Sequence, residues 1–140
     1  MSAAAIFLFL FSFALSAEGS SSDYRLRKAG DDMLLKCAGT GSKGNSYALI
    51  ADNGEVLMIE CGVKWSEIMK MIDYQTSKAV GCICSHAHSD HLVSYKDCLH
   101  YGIPIYTNDE TAEHFEIISG EKMIGKPERI PFEVGSFRIV

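Results

Sequence analysis

Between Ser85 and His91 the chain reads Ser-His-Ala-His-Ser-Asp-His, and four of those seven residues can ligate a metal. His86 and His88 are two apart, so on extended backbone both imidazoles leave the same face. They can then approach one ion at the usual zinc–nitrogen distance of about 2.0–2.1 Å. Asp90 and His91 are adjacent and lie where the chain turns away from the preceding apolar run, so they can serve a second position. Paired ions of hydrolytic sites lie about 3.5–4 Å apart, and a water between them becomes hydroxide near neutral pH. That supplies a nucleophile without an activated side chain. A lone histidine is ordinarily a satisfied structural residue, but three with an aspartate inside six positions point to a metal. The expected ligands are His86, His88, Asp90 and His91, with Asp90 also the candidate catalytic carboxylate. The expected cofactor is Zn2+, one or two ions, with Mn2+ as the alternative.

Such a loop needs a strand before it and a helix after it. The apolar run Val80–Cys84 supplies the strand, and Leu92–His100 reads as a short helix ended by Tyr101-Gly102. Upstream, Met33–Cys37 is a first strand. Tyr47–Ala51 and Val56–Ile59 follow, joined through Asp52-Asn53-Gly54-Glu55, and Asn-Gly between apolar runs is the strongest short hairpin signal. Trp65, Ile68, Met69 and Ile72 fall at i, i+3, i+4, i+7, which predicts a helix over Val63–Tyr74 packed on a sheet. Downstream, Ile103–Tyr106 is a strand whose Pro104 marks a strand start or an edge. Thr107 and Glu110 have capping-box spacing for a helix to about Ile118, with Gly120 just beyond. Ile130–Val134 and Phe137–Val140 form a last hairpin through Gly135-Ser136. His100 and His114 lie on helices with no ligand at useful spacing and are read as structural. Gly39–Ser46 is a glycine-rich loop, but it lacks the Lys-Ser/Thr ending of a phosphate-binding loop and a strand follows where a helix should start.

The 140 residues make one domain or part of a larger one, 47% hydrophobic and 22% charged, enough to bury a core. A net charge of −5 gives no polycationic surface, so any nucleic-acid binding must come from metals and local patches. The five cysteines are odd in number, and Cys61, Cys82 and Cys84 lie in or beside apolar runs. They read as small buried hydrophobes of a reducing compartment rather than a disulfide framework. As a metal motif, Cys82-x-Cys84 lacks a second matching pair. Residues 1–17 form an apolar, signal-like segment, too short for a membrane span of about 20 residues. It has a small-x-small site at Ala14-Leu15-Ser16 and no Lys or Arg before Arg25. Residues 18–32 read as a polar linker, and 33–140 as the folded part. A signal peptide at 1–17 would make the protein secreted or periplasmic, while an upstream extension over 1–32 would leave it cytoplasmic. Membrane contact is expected only through that segment if uncleaved, and no stable protein partner is indicated.

His86-Ala87-His88-Ser89-Asp90-His91, Cys61-Gly62 after a strand and hairpin, and Gly41-Ser42-Lys43-Gly44-Asn45-Ser46-Tyr47 together resemble the metallo-β-lactamase superfamily. The Gly41–Tyr47 loop and the closing Pro131–Val140 are similar to its YycJ-like branch of DNA exonucleases, with Glu60 where an aspartate is usual. The resemblance implies an α/β (α+β) chain in an αββα sandwich. It also implies a first metal on His86 and His88, a second on Asp90 and His91, and DNA as substrate through phosphodiester hydrolysis. The same fold hosts β-lactamases and thioester hydrolases, the rival activities. The family's third histidine for the first metal, bridging aspartate and last histidine come from beyond the strand where this sequence ends. The chain is therefore read as the N-terminal half of the fold, with a catalytically inactive metal-binding fragment as the further alternative.

Overall fold

In the computed structural model, which describes residues 23–28, 31–86, 88–121 and 123–140, the apolar runs become strands of one seven-stranded sheet. In chain order these are β1 (Asp23–Lys28), β2 (Asp31–Gly39), β3 (Ser46–Ala51), β4 (Val56–Ile59), β5 (Ala79–Ile83), β6 (Ile105–Asn108) and β7 (Ile124–Lys126). Their order across the sheet is their order in the chain. β1 to β4 run antiparallel, as hairpin connections allow, and β4 to β7 run parallel. Each parallel step crosses over through helix, which antiparallel neighbours do not need. The crossovers hold α1 (Trp65–Met71), the pair α2 (Ser89–Leu92) and α3 (Tyr95–His100), and α4 (Asp109–Ser119). Two further strands, β8 (Phe132–Val134) and β9 (Phe137–Ile139), form a second, two-stranded sheet.

β4 explains how the layers are filled. All four of its residues are buried, because both faces of the strand are covered. Val56 and Met58 join the core under the helices, with Ile68, Ile72, Ile103, Ile105 and Phe115. Leu57 and Ile59 join the opposite core, with Val134 and Phe137 of the second sheet. Gly81 on β5 makes the second contact close, since a Cβ there would lie 2.8 Å from both Tyr106 Cε2 and Val134 Cγ1. The layering is helix, sheet, sheet.

Several expectations meet a different local structure. The segment read as a polar linker contains β1, which pairs with β2 from Asp23↔Lys36 to Lys28↔Asp31. Tyr24 and Leu26 alternating with Arg25 and Arg27 is strand periodicity that the charge density hid. The folded part thus includes residues before Met33. Thr107 is a buried strand residue and not a helix cap. The cap of α4 is Asn108, whose Oδ1 accepts the Thr111 N–H at 2.8 Å. Gly120 ends that helix in the left-handed region at φ 72°. The expected helix Leu92–His100 is two short helices, and the expected Val63–Tyr74 helix is shorter. Pro104 marks a strand start and not an edge, since β6 lies between β5 and β7. The signal-like segment 1–17 lies outside the described residues. Among those residues no helix is long and apolar enough to cross a membrane.

Candidate metal centre

The His-rich loop leaves the carboxyl end of β5, beside the carboxyl end of its parallel neighbour β4. Open α/β sheets present ligands at that edge. The register is carried past the strands, as the Glu60 N–H donates to the Ile83 carbonyl at 2.8 Å. Glu60 then turns at φ +61°, a left-handed conformation that costs a non-glycine residue about 1 kcal/mol or more. The turn places its carboxylate behind the loop. Oε1 accepts the Ser85 N–H at 3.0 Å, and Oε2 faces His91 Nδ1 at 3.1 Å. Glu60 is 2% exposed, and this desolvation raises its pKa above the ordinary carboxylate value. The Ser85 N–H and the facing His91 ring work in the opposite direction.

The loop gathers three imidazoles. The His86 ring centroid is 4.3 Å from that of His88 and 4.1 Å from that of His91. His91 is buried, His86 half-buried and His88 exposed, so the group grades from the protein interior to solvent. Ser85 Oγ lies 2.8 Å from His86 Nδ1. With Nδ1 of His86 faced by a hydroxyl and Nδ1 of His91 by a carboxylate, Nε2 is the atom through which each ring would coordinate an ion. Metal-binding histidines are commonly oriented in this way by a partner on the other nitrogen. The donor set therefore fits a borderline cation such as Zn2+. Asp90 falls on α2, and its side chain lies outside what the structure describes. His100 and His114 are exposed on α3 and α4, away from this cluster in the chain.

Backbone bonds fix the loop from behind. The Cys61 N–H donates to the His91 carbonyl and the Ser94 N–H to the Cys61 carbonyl, both at 2.9 Å. The next residue, Gly62, donates to the Asn45 carbonyl at 2.8 Å. This ties the glycine-rich loop to the site. Asn45 braces that loop through Oδ1 to the Gly41 N–H at 3.0 Å and Nδ2 to the Gly41 carbonyl at 3.2 Å. Gly44, at φ +125°, is needed because a Cβ there would collide with the Gly62 carbonyl oxygen. The Gly-Asn pair of the loop is thus structural, a buttress for Cys61-Gly62.

Beside the loop lies a cavity of about 370 Å³, lined by Cys84, Ser85, Tyr106, Asn108, Lys126, Arg129 and Phe132 among others. Lys126 Nζ lies 5.1 Å from the Phe132 ring centroid, so a cation stands on an aromatic floor. Sequence reading assigned no role to Ser85, Glu60 or these two basic residues. An acidic residue directly after an apolar strand was the one local signal for Glu60.

No family model matches the chain, and no curated protein matches it in sequence. Solved structures do match in fold. YhfI of Bacillus subtilis, a metallo-β-lactamase fold protein, superposes with TM-score 0.62 at 23% identity, over 77% of this chain and 51% of that one. The chemotaxis sensor ODP, solved as a peroxy diiron species, gives 0.60 at 16% identity over 88% and 49%. The BLEG-1 B3 metallo-β-lactamase gives 0.56 at 17% identity over 74% and 58%. The chain has the metallo-β-lactamase fold and spans about half the length of these structures.

Proposed function

We propose that the chain carries the first ligand set of a metal-dependent hydrolase, acting on phosphodiester bonds of nucleic acid. The observation that supports this most is the convergence of His86, His88 and His91 at the carboxyl edge of the sheet, with Glu60 and Ser85 on their inner nitrogens. His86 and His88 would hold one ion, and His91 with Asp90 a second. A divalent cation bound there supplies Lewis acidity and a nucleophile at neutral pH. The protein's own share is to orient the rings through Ser85 and Glu60 and to bind the substrate. Lys126 and Arg129 favour a phosphate-bearing substrate, because they put positive charge beside the loop of a chain whose net charge is −5. The Gly41–Tyr47 likeness to the exonuclease branch supports the same class.

The test is hydrolysis of single-stranded DNA and of a chromogenic β-lactam by the Zn2+- or Mn2+-loaded chain, beside His88→Ala. The expected result is metal-dependent DNA hydrolysis, with metal content lowered severalfold in the variant. Turnover of the β-lactam alone would move the activity to the rival class. Metal binding without turnover of either would reject the hydrolase reading for this chain, and unchanged metal content in His88→Ala would reject the site.

A further inference from the structure

Cys82-x-Cys84 lacks a second pair in the sequence, and the fold supplies one. Cys61, the second residue past β4, and Cys98, on α3, both reach Cys82 on β5. The sulfurs of Cys61, Cys82 and Cys98 all lie within 4.8 Å of one another. Cys84 Sγ lies 4.0 Å from that of Cys61 and 3.8 Å from that of Cys82. All four thiols are free, and none is more than 2% exposed. Thiolates placed tetrahedrally at the zinc–sulfur distance of about 2.3 Å stand about 3.8 Å apart. Cys84 already stands at nearly that value from Cys61 and Cys82, and the separations within the Cys61, Cys82 and Cys98 trio need shifts of no more than about an ångström.

Packing alone gives no reason for this arrangement. Cysteine can fill a core anywhere, yet four of the five in this chain come from three elements to one point. The Ser94 N–H bond to the Cys61 carbonyl and the Cys98 N–H bond to the Ser94 carbonyl at 3.1 Å join two of those elements through one residue. The four sulfurs belong to the core cluster that also holds Met58, Ile68, Leu92 and Ile103. Thiolates select soft cations over hard, oxygen-seeking ones such as Mg2+ and Ca2+.

We propose that Cys61, Cys82 and Cys98, with Cys84 as a fourth donor, form a buried site for a thiophilic d10 cation such as Zn2+, Cd2+ or Cu+, distinct from the histidine loop. Each thiol that ligates gives up its proton to water, so binding releases protons and involves no change of oxidation state. The thiols act on one another unequally, and those of Cys61 and Cys82 pull Cys84 down to about 6. The Cys82 and Cys98 thiols are pushed up from their ordinary value, first by the Cys61 thiol and also by burial. An ion in this place would bind β5, the end of β4 and α3 together directly behind the loop.

The experiment titrates the reduced chain with Cd2+ while following the ultraviolet thiolate-to-cadmium charge-transfer band and proton release. Incubation is long and just below the unfolding temperature, because entry needs local opening. The band is expected to saturate at about one Cd2+ per chain. It should persist in His88→Ala and in Cys37→Ala, and weaken at least tenfold in apparent affinity in Cys82→Ala. If Cys82→Ala fails to fold, the wild type and the two retained variants still decide. Absence of the band in the folded wild type overturns the proposal, as does a band that disappears in His88→Ala or Cys37→Ala. Fast alkylation of all four buried thiols after Cd2+ loading overturns it too.

Discussion

The histidine loop and the thiol cluster meet at the carboxyl end of one strand, since Cys84, Ser85 and His86 follow β5 consecutively, yet they are assembled in opposite ways. The loop is local. Its three imidazoles come from six consecutive positions and grade from buried His91 to exposed His88. The thiol cluster is non-local, with donors separated by up to 37 positions in the chain, and it is dry. A local site can be distorted without unfolding the domain, while a site made of core residues shares the stability of the core. That difference predicts which perturbations reach one region, and which reach both.

The largest effect is expected from Met58→Ala. Met58 is fully buried and stands opposite Cys82 in the β4–β5 register. Deleting its side chain should cost about 2–5 kcal/mol in chemical unfolding. Alkylation of the buried thiols should accelerate, while native protein keeps its metal at the loop. Equal loss of both properties under native conditions would make the two regions one unit and break the comparison.

Gly44→Ala should come next, at about 1–3 kcal/mol, because the new Cβ meets the Gly62 carbonyl at a positive φ. The strain falls on Cys61-Gly62, the point where the two regions touch. Reduced thermal stability together with weaker loop metal binding is expected. Wild-type stability would mean that the glycine-rich loop does not buttress the site.

Glu60→Gln separates the regions most cleanly. Glu60 Oε2 faces His91 Nδ1 at 3.1 Å, and on the proposed site losing such a carboxylate partner is expected to lower metal affinity about 10–100-fold. Zn2+ affinity at the loop should fall by that amount, and the cadmium–thiolate band should stay. A Glu60→Gln chain that binds loop metal as the wild type does would remove Glu60 from the site.

What could be read from the chain follows the same division. The hairpin at Asn53-Gly54, the strand before the loop and the loop itself announce themselves over neighbouring positions, where periodicity and turn chemistry act. The split of the helix after the loop was hidden because Ser94 interrupts an apolar pattern without a proline or glycine. Its N–H turns to Cys61, 33 positions away. β7 gave no signal, as Ile124-Gly125-Lys126 is too short to carry a period, and its strand character comes from pairing with β6. β1 was obscured by charge until β2 gave it a ladder. The thiol cluster and the approach of Glu60 to His91 exist only once β4, β5 and the helices converge, so no local pattern encodes them.

The smallest expected effect lies on the far face of the sheet. Glu55 Oε2 accepts the Ser136 N–H at 2.6 Å, which fastens the β8–β9 turn to the β3–β4 turn. The bonds from Ser136 hold its carboxyl below the ordinary 4.5. Because the folded value is the lower one, the carboxylate's contribution is fully present above pH 4.5 and disappears as pH falls through the folded value. Glu55→Gln should therefore lower Tm slightly at neutral pH, with the two melting curves converging as pH falls through the folded value. Solvent screens this exposed contact, so the shift should shrink further in high salt. The loop metal and the cadmium–thiolate band should both be unchanged, since the β8–β9 sheet packs on the face opposite the thiols. A change in either would show that the far face communicates with the site through β4, the strand buried on both sides, and the separation between local and core-built regions would then fail at that strand.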